Sequence, residues 1–220
     1  MEKFYVLGYV NYSTNSRSYP KKNLICLSIG ATYLQEKYPS EARGTNDIDF
    51  VVFHKKNISE SELEILIVEQ LQLINCQRYI KSNNPLRFRT KDGVKVHIYV
   101  QTIGDFNISA TIKKRASADN SLAIEDYVFL KLLPSDREKD IGDIIFILRK
   151  NANFNWKILF SELKSQLEKF NKKYGAEITT GKILDIGKTL EYINNEYPSL
   201  VTKETMEMMK ELYFFYDSQR

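Results

Sequence analysis

Two acidic residues stand at the entrance of what reads as a buried strand: residues 43 to 49 are Arg, Gly, Thr, Asn, Asp, Ile and Asp, and Phe50, Val51, Val52 and Phe53 follow directly. An aromatic and β-branched run of this kind suits a pleated, covered surface. Side chains alternate along a strand, so Asp47 and Asp49 share one face while Ile48 and Phe50 share the other. Two parallel acids this close repel each other and lose hydration, which a cation or a shared proton must offset. A divalent metal is the simplest offset. Mg²⁺ takes oxygen ligands, commonly one or two carboxylates plus substrate phosphates, so the pair is a candidate metal platform for a nucleotide.

The flanking segments extend this strand into a fold. Residues 24 to 29 form a short apolar run ended by Gly30, and Ala31 to Tyr38 reads as a helix stopped by Pro39. After the acidic strand, Ser59 and Glu62 make a capping box ahead of Leu63, Leu66, Ile67, Leu71 and Ile74, one stripe of an amphipathic helix. A hairpin is predicted from Leu86–Lys91 and Val94–Val100 around Asp92 and Gly93, a pair suited to a two-residue turn. Val94, Val96, Ile98 and Val100 mark its core face, and Lys95, His97 and Tyr99 point the other way. From Ile124 the period becomes helical through Val128 and Leu132 until Pro134, after which Ser135 and Glu138 supply a second capping box for a helix burying Ile141, Ile144, Ile145 and Leu148. Three more helices are read at Trp156–Phe170, Ile183–Ile193 and Thr202–Tyr216. The expectation is an α+β fold, a mixed sheet flanked by helices over residues 1–150 and a helical C-terminal region over 151–220, divided at Asn151 to Asn155.

Composition narrows the class without naming a partner. The 220 residues are 43% hydrophobic and 27% charged, as in an ordinary globular protein. A formal charge of +4 permits contact with nucleic acid but does not require it. Cys26 and Cys76 lie in apolar stretches without metal-like spacing, and read as small core residues of a reducing compartment. No run approaches the ~18 apolar residues of a membrane span, and the chain is expected to be cytoplasmic.

Gly30 at a strand-to-helix turn, then Arg43, Thr45, Asp47 and Asp49, then Lys131 and the run from Arg137 to Asp143 resemble the nucleotidyltransferase superfamily, with its polymerase-beta-like fold. The likeness is to the branch holding the abortive-infection type toxin nucleotidyltransferases, and it covers roughly residues 24 to 150. The resemblance implies a Mg²⁺-dependent (or Mn²⁺-dependent) enzyme that moves a nucleoside monophosphate from an NTP to an acceptor. RNA such as tRNA, a protein or a small molecule would be that acceptor, and an antitoxin-like partner is a further implication. In such a site Asp47 and Asp49 hold the metal, and Ser28, Gly30, Ala31, Arg43, Thr45, Lys131, Asp140 and Asp143 surround the nucleotide. Lys131 neutralises phosphate charge, and backbone N–H groups after Gly30 meet the phosphates where the helix dipole favours them.

Two positions depart from the family pattern. Where many relatives carry a third carboxylate this chain has His97, which can accept a proton near neutral pH but is a poor Mg²⁺ ligand. Where relatives often have two glycines, or Gly and Ser, at the phosphate turn, Gly30 is followed by Ala31. A catalytically degenerate module that binds nucleotide or a macromolecular partner is therefore the alternative reading. Blander accounts exist for single residues: a solvated strand edge for the acids, a surface lysine for Lys131, an exposed strand residue for His97, helix N-terminal acids for Asp140 and Asp143, loop charges for Arg43 and His54. The closing aromatics Tyr213 to Tyr216 read as core or as a homodimer contact. A glycosyltransferase would want a larger domain upstream, and an aspartyl phosphatase would place its acids after the apolar run.

Overall fold

The computed structural model of the chain describes residues 24–54, 58–73, 76–80, 85–119, 121–134 and 137–220. The architecture is α+β, with a mixed five-stranded sheet flanked by helices and a helical C-terminus. The chain divides into two compact units, the first ending at Leu122 and the second running from Ala123 to Arg220. That division lies well before the 151–155 segment singled out above, which is a turn inside the second unit.

In the first unit β1 (Leu24–Ile29) runs into α1 (Gly30–Lys37), then β2 (Asp47–His54), α2 (Glu60–Leu73), β3 (Gln77–Ile80), β4 (Leu86–Arg89) and β5 (Lys95–Val100). A small ribbon of β6 (Thr102–Ile103) and β7 (Phe106–Asn107) precedes α3 (Ala110–Asp119). The sheet order is β1-β2-β5-β4-β3. Only β2 and β5 pair in parallel, and every other neighbour is antiparallel. The parallel pair is possible because the chain between them, α2 with β3 and β4, is long enough to return to the same end of the sheet.

One face of this sheet is closed by α2. Ile48, Phe50 and Val52 of β2, Val96, Ile98 and Val100 of β5 and Phe88 of β4 form a single core with Leu63, Ile67 and Leu71 of the helix. The predicted alternation therefore holds in β2 and β5: the apolar set faces α2, and Asp47, Asp49 and His97 lie opposite, half-buried. Leu66 is only half-buried, and Ile74 lies outside the described residues. Cys26 and Cys76 are free and buried, and burial, followed by the nearby Glu36, pushes the Cys26 thiol up to about 12. The Cys26 thiol is thus a packing group.

The Ser59 capping box forms as read. Ser59 N–H and its hydroxyl donate to Glu62 Oε2 at 2.9 and 2.8 Å, and Glu62 N–H donates back to the hydroxyl at 3.2 Å. The Ser59 backbone N–H first, then its hydroxyl, holds the Glu62 carboxyl below its ordinary range. A carboxyl lowered on folding contributes stability that is present above its unfolded value and is lost as pH falls through the folded one. Glu62→Gln is therefore expected to flatten the acid limb of the stability curve, read as denaturation midpoints between about pH 3 and 6 against wild type.

Two details differ from expectation. The hairpin turn holds three residues, Lys91 to Gly93, because Thr90 N–H bonds Val94 O at 2.9 Å and Gly93 N–H bonds Thr90 O at 3.0 Å. Gly93 takes φ +84°, the left-handed residue that closes a three-residue hairpin loop. His54, read as loop, is instead the buried last residue of β2, opposite Leu24.

The second unit is helical: α4 (Ile124–Leu132), α5 (Glu138–Lys150), α6 (Trp156–Tyr174), α7 (Ala176–Glu196) and α8 (Lys203–Asp217). Leu159, Leu163 and Leu167 of α6, Ile183, Ile186, Leu190 and Ile193 of α7, and Met209 and Tyr216 of α8 are buried at helical spacing. Phe214 and Phe215 are exposed. Asn155 caps α6 by accepting from Lys157 N–H at 3.1 Å, and Thr202 caps α8 by accepting from Thr205 N–H at 3.1 Å. At α5 the cap is Arg137, which gives no side-chain cap bond, while Ser135 lies outside the described residues. The buried stripe of α5 is Asp140, Asp143, Ile144, Ile147 and Leu148, rotated from the predicted one so that Ile141 and Ile145 are half-buried. No helix among the described residues is long and apolar enough to cross a membrane.

Candidate metal centre

The parallel register of β2 and β5 builds the centre. It sets Asp47 beside Lys95 and Asp49 beside His97, so residues 48 positions apart in sequence become lateral neighbours about 4.8 Å apart on one face. His97 Nδ1 lies 3.0 Å from Asp49 Oδ1 and 4.0 Å from Asp47 Oδ2. One ligand atom from each of Asp47, Asp49 and His97 falls within 4.8 Å of the others, a spacing that could hold a metal ion. Asp47 keeps 39% of its side-chain surface in solvent and Asp49 22%, enough for an ion and its remaining ligands to enter.

Asp49 is held from three sides. Its N–H donates to the Thr32 hydroxyl at 3.1 Å, its Oδ1 meets His97, and its Oδ2 occupies the space where Gly30 has no side chain. A Cβ at position 30 would sit 2.6 Å from that oxygen, and Gly30 has φ +59°. Glycine is thus required twice, by backbone and by the carboxylate packed against it. The contact also brings Asp49 to the start of α1, whose N-cap Ile29 gives no side-chain cap. Thr45 donates its hydroxyl to Asp47 Oδ1 at 2.5 Å, fixing the other acid.

His97 continues the chain of contacts. An ionised carboxylate only accepts, so Nδ1 carries the proton toward Asp49, and in the neutral ring Nε2 then accepts from the Tyr79 hydroxyl at 3.1 Å. Tyr79 is not visible in the sequence, because β3 is four residues long and largely exposed. Its placement depends on a register shift between Arg78 and Ile80 in the β3–β4 pairing. Such irregularities re-aim side chains. Thr32 escapes a sequence reading as well, since nothing local marks a helix threonine as the acceptor for a strand N–H.

Other predicted residues have different partners. The Ser28 hydroxyl, buried, donates to Glu36. Ala31 is buried, and exposed Arg43 has its carbonyl bonded by Gln35 Nε2 at 3.1 Å. Lys131, Asp140 and Asp143 belong to the second unit and meet one another there: Lys131 Nζ lies 2.5 Å from Asp140 Oδ1 and 2.8 Å from Asp143 Oδ2. Arg137 pairs with Asp140, and the Tyr127 hydroxyl donates to Asp143 at 3.4 Å. All three of Lys131, Asp140 and Asp143 are buried. Their charges are matched locally, the condition under which charged groups persist in a core.

No family model, curated protein or solved structure matches this chain.

Proposed function

We propose that the first unit binds an NTP with a divalent metal at Asp47 and Asp49 and transfers its nucleoside monophosphate to an acceptor hydroxyl, as a nucleotidyltransferase-like domain. The observation that carries this reading is the packing of the Asp49 carboxylate against Gly30, which joins Asp49 to the first turn of α1. The donor set fits Mg²⁺ or Mn²⁺, because two carboxylates on one face offer the oxygen ligands such ions take. When bound there, the ion would neutralise phosphate oxygens and align the leaving group.

The chain's own residues have distinct tasks. The first amides of α1 favour phosphate at a helix start. Arg87, opposite His97, and Arg89, opposite Lys95, share the acids' face with Lys95, and these three cations favour a polyanionic ligand beside the carboxylates. His97, oriented by Asp49, offers Nε2 to the proton of an attacking hydroxyl. A carboxylate in that position would compete for the metal, whereas an imidazole leaves it to the two acids.

Calorimetry and label transfer test the reading. Wild type is expected to bind an NTP with Mg²⁺ and to pass label from it to bulk RNA or lysate, and Asp47→Asn and Asp49→Asn are each expected to weaken binding by about tenfold or more, the loss known for groups that merely orient a metal ligand. Binding without transfer above the Asp47→Asn background would favour the binding-module alternative. Absence of both sinks the proposal.

A further inference from the structure

We infer that the Tyr79 hydroxyl is itself an acceptor, so that the protein attaches a nucleoside monophosphate to its own chain. The inference rests on the transfer reading above and names one acceptor for it. Three groups stand in a hydrogen-bonded line: Tyr79 hydroxyl to His97 Nε2 at 3.1 Å, and His97 Nδ1 to Asp49 Oδ1 at 3.0 Å. Nucleophile, base and orienting acid in this order are the arrangement that activates side-chain hydroxyls. The orienting acid is also one of the two proposed metal ligands, which puts the hydroxyl two contacts away from the phosphate site.

The surroundings of Tyr79 hold it in this line. Its neighbour Arg78 is tied to Glu64 of α2 at 2.9 Å, which pins the strand on one side of the register shift. Arg89 lies over the Tyr79 ring with its guanidinium carbon 5.1 Å from the ring centre, a cation–π contact that favours this placement of the ring. Two threonine hydroxyls also touch the acid pair, but that of Thr45 gives its proton to Asp47 and that of Thr32 accepts from the Asp49 N–H, whereas the Tyr79 hydroxyl meets the imidazole. Tyr79 is half-buried, so a nucleotide can reach it.

In the step, the Tyr79 oxygen forms a bond to the α-phosphorus of the NTP as the bond from that phosphorus to the bridging oxygen breaks. Pyrophosphate departs, and the phenolic proton passes to His97 Nε2. The product is a tyrosyl phosphodiester, with no change of oxidation state.

The test uses the full chain with Mg²⁺ and radiolabelled NTPs, first without any added acceptor and then with bulk RNA. Intact mass and peptide mapping are expected to show one nucleoside monophosphate on the peptide holding Tyr79. Tyr79→Phe, which keeps the ring under Arg89, is expected to lose the label entirely, and Asp47→Asn likewise. Calorimetry with an NTP analogue whose α,β-bridge cannot be cleaved gives the readout that needs no turnover, and wild type and Tyr79→Phe are expected to bind it within about twofold of each other, because Tyr79 is placed as an acceptor and not as a nucleotide ligand. Label at another residue, label retained in Tyr79→Phe, or an unlabelled wild type that still binds the analogue overturns the acceptor role of Tyr79, and transfer to RNA in those cases leaves the broader reading standing. A wild type that neither binds the analogue nor transfers label overturns both.

Discussion

Gly30→Ala is expected to destabilise the first unit and to disable the acid pair together. A non-glycine residue in the left-handed region costs about 1–2 kcal/mol from its own Cβ contacts, and Gly30 has φ +59°. Gly93, at φ +84° with nothing within 4 Å of the place a Cβ would take, would incur that backbone cost alone. At Gly30 the new methyl would stand 2.6 Å from Asp49 Oδ2, so the carboxylate has to move, and with it the His97 bond on Oδ1. Thermal denaturation without metal is expected to show a larger loss for Gly30→Ala than for Gly93→Ala, because only the first adds a displaced carboxylate to the backbone cost. A Mn²⁺ titration is expected to separate them, with affinity reduced about 10- to 100-fold in Gly30→Ala only. Equal metal binding by the two variants would mean that Asp49 is not a ligand in the place it occupies.

Lys131→Met is expected to be the most damaging single change in the second unit. It removes the ammonium that lies 2.8 Å from Asp143 and 2.5 Å from Asp140, while the Tyr127 hydroxyl on Asp143 and Arg137 on Asp140 stay in place. Removing one partner of a buried ion pair costs roughly 3–5 kcal/mol, because an uncompensated charge stays in the core. Trp156, the chain's one tryptophan, begins α6 of the same unit and reports the loss as a shift in the urea midpoint of its fluorescence. Adding Asp143→Asn to Lys131→Met is expected to recover part of the loss, since the Asp143 charge is then gone while Arg137 still pairs with Asp140. If Lys131→Met unfolds at the wild-type midpoint, the cluster is not structural.

The two variants probe residues of very different legibility. Asp47 and Asp49 can be placed on one face from alternation alone, since the period of a strand is two and the apolar partners Ile48 and Phe50 identify the covered side. The Ser59 box is readable for a similar reason: its donors and acceptors are three residues apart and need no distant partner. Lys131, Asp140 and Asp143 give a different kind of signal. Their spacing puts the two acids on one helix face, yet nothing local can tell an exposed face from a buried one, because a charged stripe is buried only when another helix brings the opposite charge to it. The predicted stripe of α5 is rotated for that reason. It follows Ile141 and Ile145, while the structure buries the acids and Ile147.

His97 shows the same boundary within the candidate centre. Its face can be read from the pattern of β5, but its neighbour cannot. By itself the sequence determined most of the elements, though not β3, the β6–β7 ribbon or α3, and with them the α+β class, the shared face of Asp47 and Asp49 and the glycine at the preceding helix start, all consequences of local periodicity and backbone sterics. Tertiary structure alone decided that β2 and β5 pair in parallel register, that an irregular edge strand turns Tyr79 toward His97, and that Lys131 is spent on two aspartates of its own unit. The physical reason is that a period assigns a side chain to a face, whereas contact across strands or helices depends on which distant segment wins the space beside it.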